Sequence, residues 1–180
     1  MGFIHPLQTT MMEKGDLTYR LNACAMRVST TLGIGNMEYV YCRALAIELN
    51  LAGIAFQREV WLPIHYKNLR IAYRRVDFLC EGKVTIEVKA KSQLTDVDFV
   101  QAINTLQQLN IPAGLLYNFG TIQLQFKHLF NNRFQPDAIT QPITPEMVGE
   151  PSDDLFELRN YIPAWVLHKM QYDKRKGKKV

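Results

Sequence analysis

Two kinds of hydrophobic spacing follow one another along the chain, and the change between them divides it into elements. Apolar side chains recur at helical spacing over residues 17–32 and again over residues 37–51. Asp16 and Asn36 precede these segments as candidate N-caps, because their short side chains can accept hydrogen bonds from the free N–H groups of a first turn. The pattern therefore predicts two successive helices.

After residue 55, β-branched and aromatic residues become frequent, which favours strands. A third helix is predicted to begin at Thr95 or Asp96 and to end before Pro112. The predicted strands cover residues 56–66, 69–80, 84–90, 113–119 and 122–129. The resulting order of elements, ααβββαββ, indicates an α/β fold of the α+β kind, a mixed sheet flanked by helices.

The segments at either end have a different composition. Residues 1–16 lack clean periodicity, so we expect a disordered or loosely packed N-terminus. Residues 17–130 are predicted to form one domain. Residues 131–180 contain several prolines and are predicted to form a C-terminal extension with short helices and a basic tail. Apolar runs are only strand-length and no signal peptide is evident, so we expect a cytoplasmic protein with no membrane partner.

The positive charge of the chain is concentrated at one end. The formal net charge is +4, but the last seven residues contain five of the basic side chains, which leaves 16 basic against 17 acidic groups elsewhere. The bulk basicity therefore describes a tail and says little about a groove in the body. The three cysteines and four histidines are scattered, so we expect reduced thiols and, if a metal binds, a hard cation held by oxygen.

The second and third predicted strands form a hairpin whose register can be counted. With residues 81–83 as the turn, Cys80 pairs with Val84. Counting back from that pair sets Asp77 opposite Glu87, and directly opposed residues share a face of the sheet.

Lys89 lies on the face of Glu87, because side chains alternate along a strand. Two carboxylates and an ammonium group thus converge where strands usually place apolar residues. If this face is solvated, they form an ordinary surface ion pair. If it is buried, the charges must be paired or bound to a cation, and a functional site is indicated.

The spacing of these charges resembles a known signature. Asp77, a gap of nine residues and then Glu87-Val88-Lys89 resemble the active-site motif of the PD-(D/E)xK nuclease superfamily. Gly35, Glu38 and Tyr41 are similar to the GxxExxY motif that names one family within it. The resemblance extends over roughly residues 17–130 and implies a restriction-endonuclease-like core.

The resemblance also implies a set of roles. The cofactor would be Mg²⁺ or Mn²⁺, and the partner would be nucleic acid, with DNA preferred over RNA. The reaction would be phosphodiester hydrolysis by metal-activated water. Asp77, Glu87 and the Val88 carbonyl would be metal ligands, with Glu38 as an extra ligand. Lys89 would orient or deprotonate the attacking water. The implied catalytic residues are Glu38, Asp77, Glu87, Lys89 and Gln101.

Other motif positions carry weaker expectations. Gln101 matches half of a QxxxY motif that positions the site and the nucleic acid, but Thr105 stands where that motif has tyrosine. Arg75 would contact nucleic acid or pair with one of the carboxylates. Val76 replaces the proline of the PD motif, and Tyr41 would either hold Glu38 or only pack.

Two main hypotheses follow, from different classes of protein. The first is a metal-dependent nuclease, which in related folds often works as a homodimer. The second is a nucleic-acid-binding or protein-interaction module that keeps the fold without turnover, as the near-neutral body suggests. A third hypothesis is that residues 131–180 fold over the site and regulate access to it.

Overall fold

The computed structural model describes residues 16–138, which form three helices and five strands. The expectations for residues 1–15 and 139–180, including the short C-terminal helices, lie outside the described residues. The elements are α1 (Leu17–Leu32), α2 (Glu38–Leu51), β1 (Phe56–Tyr66), β2 (Leu69–Cys80), β3 (Val84–Lys89), α3 (Asp96–Leu109), β4 (Ala113–Asn118) and β5 (Gln125–Phe130). The predicted order is confirmed.

The five strands form one mixed sheet in the order β1-β2-β3-β4-β5. β3 and β4 are parallel, with α3 as the crossover between them, whereas β2–β3 and β4–β5 are antiparallel. The predicted α/β fold is therefore confirmed, and it is consistent with a restriction-endonuclease-like core.

The two faces of the sheet are covered by different helices. Side chains of α1 and α2 form one core cluster with alternate residues of β3, among them Ile86 and Val88. The other face meets α3, where Leu106 lies so close to Gly114 that a Cβ there would be 2.9 Å from its side chain. Glu87 and Lys89 belong to this second face, because they alternate with Ile86 and Val88.

The central hairpin has the register expected from its turn. Residues 81–83 form the turn, and Gly82 takes a φ of +63° that glycine adopts without steric cost. Cys80 pairs with Val84, and the ladder continues through Leu79 with Thr85 and Phe78 with Ile86. The predicted register is thus confirmed up to the residue next to Asp77.

Several predicted boundaries were wrong by a few residues. The N-cap of α2 is Met37, not Asn36, whose side chain instead donates to the Leu32 carbonyl at 3.4 Å. β5 begins at Gln125 rather than at residue 122, because the preceding residues form a bend. Asp16 caps α1 as predicted, accepting hydrogen bonds from the backbone N–H and the hydroxyl of Thr18.

The outer parts of β1 and β2, residues 58–76, form a compact unit distinct from the remaining described residues. In this unit the Arg70 guanidinium lies over the ring of Tyr73, at 5.2 Å from the ring centre. The three cysteines are buried, as expected, and none of them forms a disulfide. Within residues 16–138, no helix is long and apolar enough to cross a membrane.

Candidate active site

Asp77 lies where the ladder between β2 and β3 gives way to a side-chain contact. Its Oδ2 atom accepts a hydrogen bond of 2.8 Å from the Val88 backbone N–H, in a buried environment. The Asp77 side chain, only 5% exposed, therefore takes the place of a backbone partner beside β3. This contact holds the Asp77 carboxylate next to the end of β3 that bears the other charged residues.

Glu87 and Lys89 form a shielded ion pair on the α3 face of the sheet. The Lys89 Nζ donates to Glu87 Oε1 at 2.7 Å, and both side chains are largely buried, at 10% and 15% exposure. Burying charges in this way costs free energy unless they are compensated. The solvated-face interpretation of these residues is therefore excluded by their burial.

Electrostatic coupling extends over three carboxylates and one ammonium group. Burial and the neighbouring Asp77 carboxylate, with a smaller contribution from Glu38, raise the pKa of Glu87 to about 7, although Lys89 acts in the opposite direction. Burial alone would lower the pKa of Lys89, but Glu87, Glu38 and Asp77 together raise it. Lys89 is thus held as a cation, and the cluster has more negative than positive groups.

Glu38 is the first residue of α2 and is half-buried. It contributes to the pKa shifts of both Glu87 and Lys89, and α2 packs on β3, which agrees with an N-terminal turn of α2 directed towards the end of β3. The structure thereby brings together Glu38, Asp77, Glu87 and Lys89, four of the predicted site residues.

Tyr41 organises the loop that leads into α2. Its hydroxyl donates to the Gly33 carbonyl at 2.9 Å and accepts from the Asn36 backbone N–H at 3.2 Å. Its ring stacks on Phe119 with 4.7 Å between ring centres. Gly35 takes a φ of +97° in the same loop, which other residues rarely adopt. Tyr41 therefore fixes the start of the helix that carries Glu38, a role that the motif alone did not reveal.

A second missed feature is the buried Asn118, at the end of β4 beside Lys89. Its Oδ1 accepts from the Lys91 backbone N–H and its Nδ2 donates to the Lys91 carbonyl, both at 2.9 Å. Gly120 packs so closely on this segment that a Cβ there would overlap the Lys91 backbone. The chain leaving β3 is thereby fixed immediately after Lys89. In the sequence, the available signal for this contact was an asparagine that stands between the apolar residues of a buried strand and a Phe-Gly pair.

Asp98 anchors the helix that covers this face. It is 1% exposed, and its Oδ2 accepts from the backbone N–H and hydroxyl of Thr95, at 2.8 and 2.9 Å. Its Oδ1 accepts from Lys91 Nζ at 2.6 Å. Burial opposes ionisation of Asp98, but these hydrogen bonds and Lys91 leave its pKa below the usual value. The Thr95-x-x-Asp98 spacing is a capping-box signal that sequence reasoning could have used.

The remaining predicted residues have different environments. Gln101 is exposed on α3, and its backbone carbonyl accepts a hydrogen bond of 3.1 Å from the buried Thr105 hydroxyl. Thr105 thus satisfies its polar group within the helix instead of reaching out as a tyrosine would. Arg75 is exposed and lies in the unit formed by residues 58–76. Their proposed roles stay predictions.

The oxygen donors at the end of β3 suit a hard divalent cation. A carboxylate has two oxygens with about four lone-pair sites, so the hydrogen bonds at Asp77 Oδ2 and Glu87 Oε1 are compatible with binding a cation. Within the described part of the chain, no three His, Cys, Asp or Glu side chains are grouped as a complete metal cage. Mg²⁺ is usually held by only one or two carboxylates and several waters, so the donor set present fits this ion or Mn²⁺.

Comparison with known proteins identifies the superfamily of the chain. The model of the PD-(D/E)XK nuclease superfamily matches residues 15–129, which include the whole hairpin and all three helices. Searches of curated proteins and of solved structures gave no significant match. The family match covers more than half of the chain, and the chain belongs to the PD-(D/E)XK nuclease superfamily.

Proposed function

We propose that the protein is a metal-dependent nuclease of the GxxExxY type that hydrolyses phosphodiester bonds, in DNA ahead of RNA. Superfamily membership suggests a nuclease-like function, and the superfamily generally uses divalent metals. The observation that carries the proposal is the buried cluster of Asp77, Glu87 and Lys89. Burial and the neighbouring Asp77 carboxylate raise the pKa of Glu87, and a bound cation would favour its ionised form.

Each residue of the cluster has a proposed role. Asp77, Glu87 and the Val88 carbonyl hold Mg²⁺ or Mn²⁺, and Glu38 contributes as a further ligand or through a metal-bound water. When bound, the metal polarises the phosphate and lowers the pKa of a coordinated water. Lys89, held as an ammonium group, offsets phosphate charge and orients the attacking water. Gln101 and Arg75 contact the nucleic acid.

We also propose a domain organisation, a location and an oligomeric state for the enzyme. Residues 17–130 act as the nuclease domain, with residues 1–16 as an N-terminal segment and residues 131–180 as a C-terminal extension. We expect the enzyme to act in the cytoplasm. A homodimer would allow it to cut both strands of a duplex.

Cleavage assays with Mg²⁺ and with Mn²⁺ test the enzyme directly, on single-stranded, double-stranded and branched substrates. We expect cleavage that stops on chelation and falls by at least about a hundredfold, roughly 2.7 kcal/mol in the barrier, in Glu87→Ala and Lys89→Ala. Glu81→Gln is the matched control, because Glu81 lies in the hairpin turn and pairs with Arg20 at 3.6 Å. Absence of cleavage on every substrate with either metal would refute the enzyme.

One observation favours a second function, a nucleic-acid-binding module without turnover. Lys89 Nζ contacts Glu87 Oε1 at 2.7 Å, so an ammonium group already compensates one of the proposed metal ligands. A module of this kind would bind nucleic acid with a salt-dependent affinity that Glu87→Ala leaves intact. Cleavage that this single substitution abolishes would exclude it.

A further inference from the structure

A cavity of about 420 Å³ lies between the start of α3 and the edge strand β5. Its wall on the helix side is formed by Gln93, Leu94 and Phe99, and its wall on the strand side includes Gln125 and Lys127. The complete lining combines four apolar residues with two carboxamides and one ammonium group: Gln93, Leu94, Phe99, Leu124, Gln125, Phe126 and Lys127. None of these residues belongs to the charged cluster at the end of β3.

The register of the sheet places this cavity beside the cluster. Lys89 pairs with Asn118 in β4, and Asn118 pairs with Gln125 in β5. Paired residues in adjacent strands share a face, so all three side chains lie on the α3 side of the sheet. Strands are about 4.8 Å apart, so the Gln125 backbone is roughly 10 Å from that of Lys89. A nucleotide next to a phosphate at the charged cluster could reach the cavity.

The Gln125 carboxamide is oriented by its neighbour. Its Oε1 accepts from Asn118 Nδ2 at 3.2 Å, and Asn118 is itself fully buried and hydrogen-bonded to the Lys91 backbone. With its oxygen engaged in this way, Gln125 presents its amino group as a donor. An oriented amide beside an aromatic ring is suited to recognise a planar ligand with acceptors at its edge.

We propose that this cavity binds an unpaired nucleobase of the nucleic-acid strand whose phosphate lies at the Asp77–Glu87 site. The inference rests on the proposed function and deepens it. Phe99 and Leu94 provide a surface for base stacking, Gln125 contacts the base edge, and Lys127 contacts a phosphate. A base inside a duplex keeps both faces stacked, so the cavity selects single-stranded or locally unpaired substrates.

The test uses the full chain with Glu87→Gln, so that binding is measured without cleavage. The probe is a short single-stranded oligonucleotide that carries one 2-aminopurine, supplied as DNA and as RNA. We expect binding to quench the fluorescence of the base, and Phe99→Leu to abolish the quenching and weaken binding by about five- to tenfold. Gln125→Leu should weaken binding as well, and because Gln125 is an exposed residue of β5, this substitution should not impair folding.

Matched controls lie on the same strand and just before it. Phe130→Leu and Gln123→Leu change exposed residues outside the cavity, so they should leave quenching and affinity unchanged. A duplex of the same sequence should show no dependence on Phe99. The DNA and RNA probes then identify which nucleic acid supplies the base.

Two outcomes separate this inference from the proposed function. If the wild-type protein cleaves but Phe99→Leu and Gln125→Leu bind the probe as the controls do, the cavity inference is overturned and the nuclease stands. If quenching depends on Phe99 and Gln125 while the wild-type protein cleaves nothing, the cavity inference stands and the proposed function fails.

Discussion

At the scale of single residues, the site is defined by charges that the fold buries next to one another. Asp77 satisfies a backbone N–H of β3, and Lys89 satisfies Glu87. Even with these contacts, burial and the nearby Asp77 carboxylate raise the pKa of Glu87 to about 7. In the metal-free protein this carboxylate therefore binds a proton near neutral pH. A bound divalent cation would remove the need for that proton.

The raised pKa predicts how the stability of the metal-free protein depends on pH. The folded state binds the Glu87 proton more tightly than the unfolded state, so its stabilising effect is complete below about pH 4.5 and is lost as pH rises through about 7. The free energy of unfolding should fall by on the order of 3 kcal/mol over this interval. Thermal unfolding in chelator, from acid to mildly alkaline pH, measures it.

Glu87→Gln provides the comparison, because its amide does not titrate. Its unfolding temperature should lack this component of the pH dependence, and added Mg²⁺ should stabilise the wild-type protein more at alkaline than at acid pH. Identical pH profiles for the wild-type protein and the variant would contradict the assignment of the raised pKa to Glu87.

At the scale of elements, the N-terminus of α2 is held by a loop rather than by a capping side chain. Met37 occupies the N-cap position without a side-chain hydrogen bond. The Tyr41 hydroxyl forms hydrogen bonds to Gly33 and Asn36 of this loop, and the Tyr41 ring packs on Phe119. The glycine and the tyrosine of the Gly35–Tyr41 motif thus position its glutamate, Glu38.

Tyr41→Phe should keep the ring stacking and remove both hydrogen bonds to the loop. We expect a loss of about 1 kcal/mol in stability. We also expect a higher Mg²⁺ concentration for half-maximal cleavage, because Glu38 is less well held. Tyr19→Phe, on the exposed side of α1, is the control. A change in stability without any change in the Mg²⁺ titration would show that Tyr41 only packs.

Asp98→Ala should destabilise α3, because it removes the capping box and leaves Lys91 without its buried partner. We expect a loss of about 2 kcal/mol, read from urea unfolding. Asp96→Ala, in the same turn but exposed, should cost less. The pKa of Asp98 is lowered, so this contribution should persist above the usual pKa and disappear as pH falls through the folded value. Equal losses in both variants would contradict this account.

What could be predicted from sequence was governed by local rules. The turn at residues 81–83 and strict alternation were sufficient to predict the hairpin register as far as the Phe78–Ile86 pair, which adjoins Asp77 and Glu87. The contact of Asn118 with Lys91 joins residues 27 positions apart, so no local pattern contains it. The start of α2 was misplaced for a different, local reason, since the Asn36 side chain bonds back to the Leu32 carbonyl instead of capping the helix.

At the scale of the whole molecule, the positive charge and the candidate site are separate in sequence. Outside the last seven residues, basic and acidic groups nearly balance. Affinity for a polyanion should therefore depend strongly on the tail and on a few local cations, and only weakly on the net charge of the domain.

Deleting residues 174–179 should weaken binding of nucleic acid and make it less sensitive to salt, because up to five phosphate contacts are lost. The slope of log affinity against log salt concentration should decrease by several units, as measured by fluorescence anisotropy. Replacing these residues with a neutral segment of equal length provides the control for chain length. An unchanged slope would show that the tail takes no part in binding.

The most direct measurement is a crystal structure of the protein soaked with Mn²⁺, with the metal located by its anomalous scattering. The Asp77 carboxylate accepts a hydrogen bond from the Val88 N–H of β3, and Glu87 is the residue directly before Val88. We predict an anomalous peak between Asp77 and Glu87, at the usual ligand distance from an oxygen of each, and no peak there in Glu87→Gln. A fully soaked crystal with no metal between these two carboxylates would contradict the account.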